Sequence, residues 1–479
     1  MSMSDSRFLM QSTLSLKNMD WFFVYTKLAK GESHHVLLES GQRGRYSIIG
    51  LTPFAILKGK DEQLTVETKA GVETYKGDLL PLMREWLRRY EVETLYEDVP
   101  FKGGAIGFFS YDLVRQYEEL PKVAADDLNT YDLYFYLFDD LFVIDHEKEL
   151  LYLYTHYVAG EEEAARDRLE RYEQQWLSAA EERDTKRSPL EQITTSVEKS
   201  PFSEAAFVSA VETIRESIRK GDVFQVNLTV RQAEPLKTEP LHIYEKLREV
   251  NPSPYMAYMH SPEFQIVSGS PELLVKKSGT SVSTRPIAGT RSRGVDRAED
   301  EKLANTLREN EKERAEHMML VDVERNDFGR VCEYGTIEVD ELLVIEKYSH
   351  VMHIVSNVRG TLAKQYDAYD LIRAMFPGGT ITGAPKLKTM EMLEHLEPVR
   401  RGIYTGSIGW LGYNGDMELN VVIRTLIAKD GVAYVQAGAG IVVDSNPQAE
   451  YKESLKKAAA LWQAKQLSEA ECGLCGEEM

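Results

Sequence analysis

The sequence predicts an α+β fold whose strands pair antiparallel. Two turns carry most of that reading. Asn414-Gly415 joins one pair of alternating runs and Asp430-Gly431 joins the next, and both dipeptides suit the tight hairpin turns that flank paired strands. Consecutive hairpins make neighbouring strands antiparallel, whereas a doubly wound parallel sheet needs a crossover between one strand and the next. The third observation is that long helical patterns alternate with these hairpins, without any internal repeat.

Taken in order, residues up to about 157 read mostly as strands joined by turns. Val36–Ser40, Arg45–Gly50 and Tyr131–Phe138 are rich in β-branched and aromatic side chains. From Glu161 to about Glu182 the pattern becomes a charged helix with Ala165, Leu169, Tyr172 and Trp176 on one stripe. Residues 184–201 are polar and read as a linker. The chain thus divides into a β-rich region, 1–183, and a larger region, 202–466, with a flexible tail at 467–479. A helix is expected from Phe202 to Lys220, opened by Ser203. Strand Val223–Val230 alternates, with Gln225, Asn227 and Thr229 on one face and Phe224, Val226 and Leu228 on the other. Further helices are expected from Ala298 to about Val323, from Tyr369 to Met375, and from Pro385 to about Leu396. The last helix opens at Asp444-Ser-Asn-Pro447. At about 100° per residue, Glu450, Glu453, Lys457 and Leu461 share an arc of about 80°, opposite Tyr451, Leu455, Ala458, Ala459 and Trp462.

The 479 residues allow about three average domains or one large two-layer body. A net charge of -20 argues against a nucleic-acid surface and gives no long-range steering toward an anionic substrate, so an anion site must be local. No apolar run approaches membrane-spanning length, and the start lacks the pattern of a secretory signal. Three cysteines are too few for a disulfide framework, so a cytoplasmic location is expected. Cys472 and Cys475 have redox or zinc spacing, but they sit in a Gly/Glu-rich end without a second ligand pair, and a frayed tail is the better reading.

Several clusters could carry chemistry. Phe376–Lys386 holds Gly378, Gly379 and Gly383 before a helix start. It reads either as an anion cradle, offering free N–H groups, or as a plain loop leading into a helix. It is not a nucleotide P-loop, because Ala384 and Pro385 separate the last glycine from Lys386. Arg285–Gly294 packs three arginines and two glycines together, as a carboxylate site or as a basic surface loop. Glu316 lies beside the apolar run Met318–Val321, where an unpaired carboxylate is costly unless a cation binds it. With Glu453 it would make a two-carboxylate magnesium site; otherwise Glu453 and Lys457 are a surface i,i+4 pair. His353, between Val351 and Val355, faces inward either as a core histidine or as a proton carrier. Arg424 reads as an arginine on a central strand, and Gln436–Ile441 as a stretch of exposed backbone N–H groups.

Together these segments resemble the chorismate-utilising enzymes. The matching stretches are Pro286–Thr290, Ala315–Asp322, Gly378–Lys386, Gln436–Gly440 and Glu450–Ser454, and, in the first region, Leu37–Ser40 with Arg45–Ser47. The resemblance implies two halves interlocked around an antiparallel β-sandwich with helices outside. It implies that Glu316 and Glu453 bind Mg²⁺ on the ring carboxylate of chorismate. Tyr404, Arg424 and the Gly438-Ala439-Gly440 backbone would hold carboxylates, with Gly289, Thr290, Thr380 and Lys457 completing the pocket. Glu272 would be the acid at the departing 4-hydroxyl and His353 would sit beside the ring. Gln225 stands where water-using relatives carry a lysine base, which fits ammonia as the nucleophile. Gln225–Leu228 and Phe376–Gly379 look like the aminodeoxychorismate synthase branch, whose first component takes ammonia from a glutamine amidotransferase subunit. Ala288, in place of that branch's usual lysine, looks instead like anthranilate synthase. A non-catalytic binding module is the remaining reading. Ser40, Pro254, Tyr255 and Met256 match the family's tryptophan pocket.

Overall fold

The computed structural model describes residues 7–41, 44–92, 99–181, 190, 200–348 and 351–474, with Thr290 described in its backbone only. Two large antiparallel sheets form the centre. The first orders the strands Arg7–Ser15, Leu150–Val158, Asp140–Asp145, Tyr46–Gly50, His35–Glu39, Tyr255–His260, Gln265–Ser270, Thr425–Lys429, Val432–Ile441, Gln225–Pro235 and the short Gly383–Ala384. The second runs from Ile287–Ser292 through Val351–Thr361, Ser281–Arg285, Leu273–Ser278, Met417–Val421 and Ser407–Gly412 to Gly104–Phe109, then on to four strands of the first region.

Both sheets therefore cross the boundary that composition drew between the two regions. His35–Glu39 pairs with Tyr255–His260, and Gly104–Phe109 pairs with Ser407–Gly412. The halves interlock, and neither sheet is complete without strands from both. The sheets face each other across a shared core in which Val36, Ile48 and Ile266 of one meet Phe108, Tyr136 and Trp410 of the other. Burial of such side chains, about 1.5–3 kcal/mol each, is what holds the layers together. The outer face of the first sheet is covered by the helices Trp21–Leu28, Glu162–Glu181, Pro240–Val250 and Ala459–Glu471. That of the second is covered by Leu79–Leu87, Ala368–Met375 and part of Glu311–Phe328.

The sequence reading needs correction at five places. The first region is not only strands, because Trp21–Leu28 and Leu79–Leu87 are helices that close the outer layers. The helix expected over 298–323 is two, Arg297–Glu309 and Glu311–Phe328, because Asn310 leaves helical geometry and caps the second through its side chain, accepting from Glu313 N at 3.0 Å. The C-terminal helix likewise breaks at Ala458. Residues 467–471, read as flexible tail, continue Ala459–Glu471. Ser468 Oγ lies 2.7 Å from Thr238 Oγ1, and Glu471 pairs with His242 and Lys246. Finally, Arg424 is not on a central strand. Met417–Val421 belongs to the second sheet and Thr425–Lys429 to the first, and Val422–Arg424 is the crossing between them. The proposed linker falls almost wholly outside the described residues, as does Cys475.

Candidate active site

The crossing at Arg424 builds the site. A chain that leaves one sheet and joins the other must turn within three residues, and Arg424 is held at φ +49°, a left-handed conformation that costs a non-glycine residue energy. Its guanidinium is buried, and among the described residues no carboxylate pairs with it within 4 Å. Burial lowers its pKa, with partial relief from the charge of nearby Glu272. A buried arginine without a full partner is expensive unless an anion arrives from outside.

Glu272 follows the strand Gln265–Ser270 and is 5% exposed. Burial pushes its carboxyl up to about 7, against the pull of the Thr380 hydroxyl, the Ile287 N–H and Arg424. It can hold a proton near neutrality, as a general acid must. His353 is buried on Val351–Thr361. Its Nδ1 lies 3.2 Å from the carbonyl of Gly289, and its ring is 5.7 Å from that of Tyr348. Burial, Arg424 and Lys457 depress its pKa to about 3, so the ring is neutral. Gly289 takes φ +62° at a bulge between Ala288 and Thr290, which turns its carbonyl toward His353. In backbone register Thr290 lies opposite His353.

On the facing sheet Lys457 Nζ donates to Gly438 O at 2.9 Å and pairs with Glu453 at 3.0 Å. Gly438 and Gly440 lie opposite Thr229 and Asn227. A Cβ on Gly440 would overlap the amide nitrogen of Gln225, and one on Gly438 would come within 2.7 Å of Asn227 Oδ1. The glycines leave room for these two side chains. Ala439 contributes backbone only, since its methyl is in the core with Phe207 and Val226. Tyr404 is buried beside the Arg401–Glu397 pair, which ties Asn227 O to Ile381 O. The alternating polar face of this strand is thus buried, with Thr229 bonded to Glu397 at 2.7 Å, whereas Phe224 just before it is exposed.

Glu316 is half-buried. Burial and the neighbouring charges of Glu313, Glu450 and Glu453 raise its pKa, opposed by Lys312. Carboxylates gathered against their own repulsion suit a divalent cation. No three His, Cys, Asp or Glu side chains among the described residues close around one point. A two-carboxylate site for Mg²⁺, with other positions left to water and substrate oxygens, fits that arrangement. Glu316 and Glu453 would hold the ion.

Two sequence readings of anion sites are overturned. Arg285 pairs with Glu341 and Glu346, Arg291 with Glu313, and Arg293 with Asp300, so the three arginines are neutralised internally. The glycine loop does hold an anion, but it is the protein's own. Glu324, buried on Glu311–Phe328, accepts the Gly379 N–H. Lys386 is spent on Asp327 at 2.5 Å and on the carbonyl of Met375, and Gly383–Ala384 pairs with the Gln225 strand. Sequence reasoning missed Glu324. Its signal was the spacing Leu320, Glu324, Phe328, which sets a carboxylate on an apolar helix face.

Ser40, Pro254, Tyr255 and Met256 line a different cavity, of about 850 Å³, between the sheets. Ser40 Oγ bonds to the carbonyl of Tyr46 at 2.7 Å. Glu346 and Tyr348 also line it, and the Tyr348 ring is the one beside His353.

Comparison with known proteins agrees with this geometry. The family described as chorismate binding enzyme matches residues 34–463. Aminodeoxychorismate synthase component 1 of Bacillus subtilis (strain 168) is 55% identical over 447 residues, 93% of this chain and 95% of that protein. Anthranilate synthase component 1 of Thermus thermophilus is 43% identical, over 93% of this chain and 95% of that protein. Among solved structures, anthranilate synthase component I from Streptococcus pneumoniae TIGR4 superposes with a TM-score of 0.77 at 35% identity, covering 88% of this chain and 92% of that one. An acid buried beside an unpaired arginine, across from a glycine-lined strand in an antiparallel sandwich, is therefore the site of a protein that belongs to the chorismate binding enzymes.

Proposed function

We propose that this chain aminates chorismate at C4 to give 4-amino-4-deoxychorismate, the precursor of 4-aminobenzoate and folate, in the manner of aminodeoxychorismate synthase component 1. Ammonia would come from a separate glutamine amidotransferase subunit. The observation that carries the reading is the pairing of buried Arg424 with the proton-holding Glu272, faced by neutral Gln225 rather than a base.

Arg424 takes a substrate carboxylate, and the Gly438 and Gly440 backbone with Tyr404 positions the other. Mg²⁺, held by Glu316 and Glu453, supplies charge that binds and polarises the ring carboxylate. Glu272, fixed by the Thr380 hydroxyl, gives its proton to the departing 4-hydroxyl, which leaves as water with the C–O electron pair. Ammonia forms the new C–N bond and the resulting ammonium loses one proton, so charge balances. Ammonia needs no deprotonation before attack, which is why a glutamine suffices where water would need a base. Neutral His353 can lie against the ring without adding a charge.

Ala288 favours a second reading. It has no amine to form a covalent adduct at C2, so amination at C4 would go through two displacements by small external nucleophiles. If ammonia instead attacks C2 and pyruvate leaves, the chain is an anthranilate synthase component. Incubation with chorismate, Mg²⁺ and ammonium salt decides. The expected product keeps its enolpyruvyl group and yields 4-aminobenzoate only after a lyase is added. Anthranilate fluorescence with pyruvate release and no lyase would overturn the C4 reading.

A further inference from the structure

We propose that Gln225 and Asn227 form an ammonia seat, their side-chain oxygens accepting hydrogen bonds from the nucleophile before it attacks. The inference rests on the amination reading above and adds a second residue and a binding geometry to it. Gln225 Oε1 and Asn227 Oδ1 are both inaccessible to solvent and lack a hydrogen-bond partner among the described residues; Gln225 as a whole is 8% exposed. Buried polar atoms are rarely left unpaired, so two such acceptors side by side point to a donor that comes and goes.

The two side chains share one face of the Gln225–Pro235 strand, with their Cα atoms about 6.6 Å apart at the usual strand rise, close enough for one small molecule to reach both. Their orientation is fixed from behind. Asn227 Nδ2 donates to Thr380 O at 3.1 Å, which turns Oδ1 the other way, toward Gly438. The Asn227 backbone is clamped on both sides, its N–H on Thr382 O at 2.9 Å and its carbonyl under Arg401 Nη2 at 2.6 Å. Gln225 lies over Gly440, whose missing side chain admits it. The pair offers acceptors and no charge. It therefore suits a small neutral molecule with several donors and repels a carboxylate. Ammonia placing two N–H bonds on these oxygens keeps its lone pair free. Water so held would still need a base, and the nearest amine, Lys457, is engaged by Gly438 O and Glu453.

The test is steady-state kinetics of the whole chain with ammonium chloride as nitrogen source, in Asn227→Leu, Asn227→Asp and Gln225→Leu. Leucine at either position should raise the KM for ammonia at least tenfold while leaving the KM for chorismate within about twofold. The aspartate variant keeps the oxygen but loses the donor to Thr380. It should hold the ammonia KM within about threefold of the parent, whereas a purely structural role for the Thr380 link makes it as poor as leucine and overturns the seat. An unchanged ammonia KM in both leucine variants, with aminated product still forming, also overturns it. Should Asn227→Leu fail to fold, Gln225→Leu gives the same reading. Anthranilate as the product together with a raised ammonia KM would sink C4 amination and leave the seat standing. No aminated product from the parent chain would remove both.

Discussion

At the scale of single residues, the site is a set of charges that the empty fold cannot satisfy. Glu316→Gln or Glu453→Gln should cut turnover by roughly 100-fold or more, because each removes charge from an ion worth several kcal/mol to the reaction. Circular dichroism should stay unchanged, since both side chains are half-buried or exposed. Near-normal turnover at ordinary Mg²⁺ would rule out the metal assignment. Arg424→Met should lose chorismate affinity by about 100-fold and yet melt no lower than the parent, because a buried cation without a full partner is a burden on the unliganded fold. A drop in Tm would mean that Arg424 is structural. Glu272 sets a pH dependence. Its folded pKa, about 7, lies above the ordinary 4.5, so the native state binds the proton more tightly than the unfolded chain does. Stability is then lost as pH rises from about 4.5 through about 7, on the order of 3 kcal/mol once ionised. Glu272→Gln should therefore raise Tm at pH 8 and not at pH 4, while lowering kcat by roughly 100-fold or more. The parent's kcat/KM for chorismate at fixed free ammonia should fall above about pH 7, and the variant should lack that limb.

At the scale of elements, the site depends on interruptions in regular structure. Asn310 divides what the sequence reads as one helix, and its cap starts the segment that carries Glu313, Glu316 and Glu324. Asn310→Ala should cost about 1 kcal/mol and fray the first turn. The KM for Mg²⁺ should rise more than that for chorismate, because Glu316 sits in the second turn of that helix. An unchanged Mg²⁺ dependence would detach the cap from the metal site. The bulge at Gly289 and the crossing at Val422–Arg424 act alike, each aiming one group into the pocket at the expense of strand pairing.

At the scale of the whole molecule, one continuous body is built from both halves of the sequence. The active site lies where the ends of the two sheets meet, and the larger cavity lies where the N-terminal strands join them. No helix among the described residues is long and apolar enough to cross a membrane. The sequence contains no segment recognised as a glutaminase, and Cys332 is half-buried with its thiol pKa pushed up to about 11, the opposite of an activated nucleophile. The purified chain should accordingly use ammonium salts at elevated pH, where free ammonia is available, and use glutamine only when an amidotransferase subunit is added. Glutamine-dependent turnover by the chain alone would contradict the division of labour.

By itself the sequence determined whatever is local or periodic. The antiparallel hairpins at Gly415 and Gly431, the helices after Ser203 and Asp367, and the buried stripe of Ala165, Leu169 and Trp176 are written in turn residues, caps and spacing. Its motifs also named residues that gather around Arg424 and Glu316. Tertiary structure decided which charges are free. Three arginines in Arg285–Gly294 look available in sequence, yet each meets a carboxylate from a distant segment. Arg424, one arginine among many, is the one left without an ion-pair partner among the described residues. Likewise the glycine loop reads as a cradle for a ligand until Glu324, brought in from another helix, fills it. Spacing along a chain cannot foretell either outcome, because pairing and desolvation depend on neighbours that only the folded arrangement supplies.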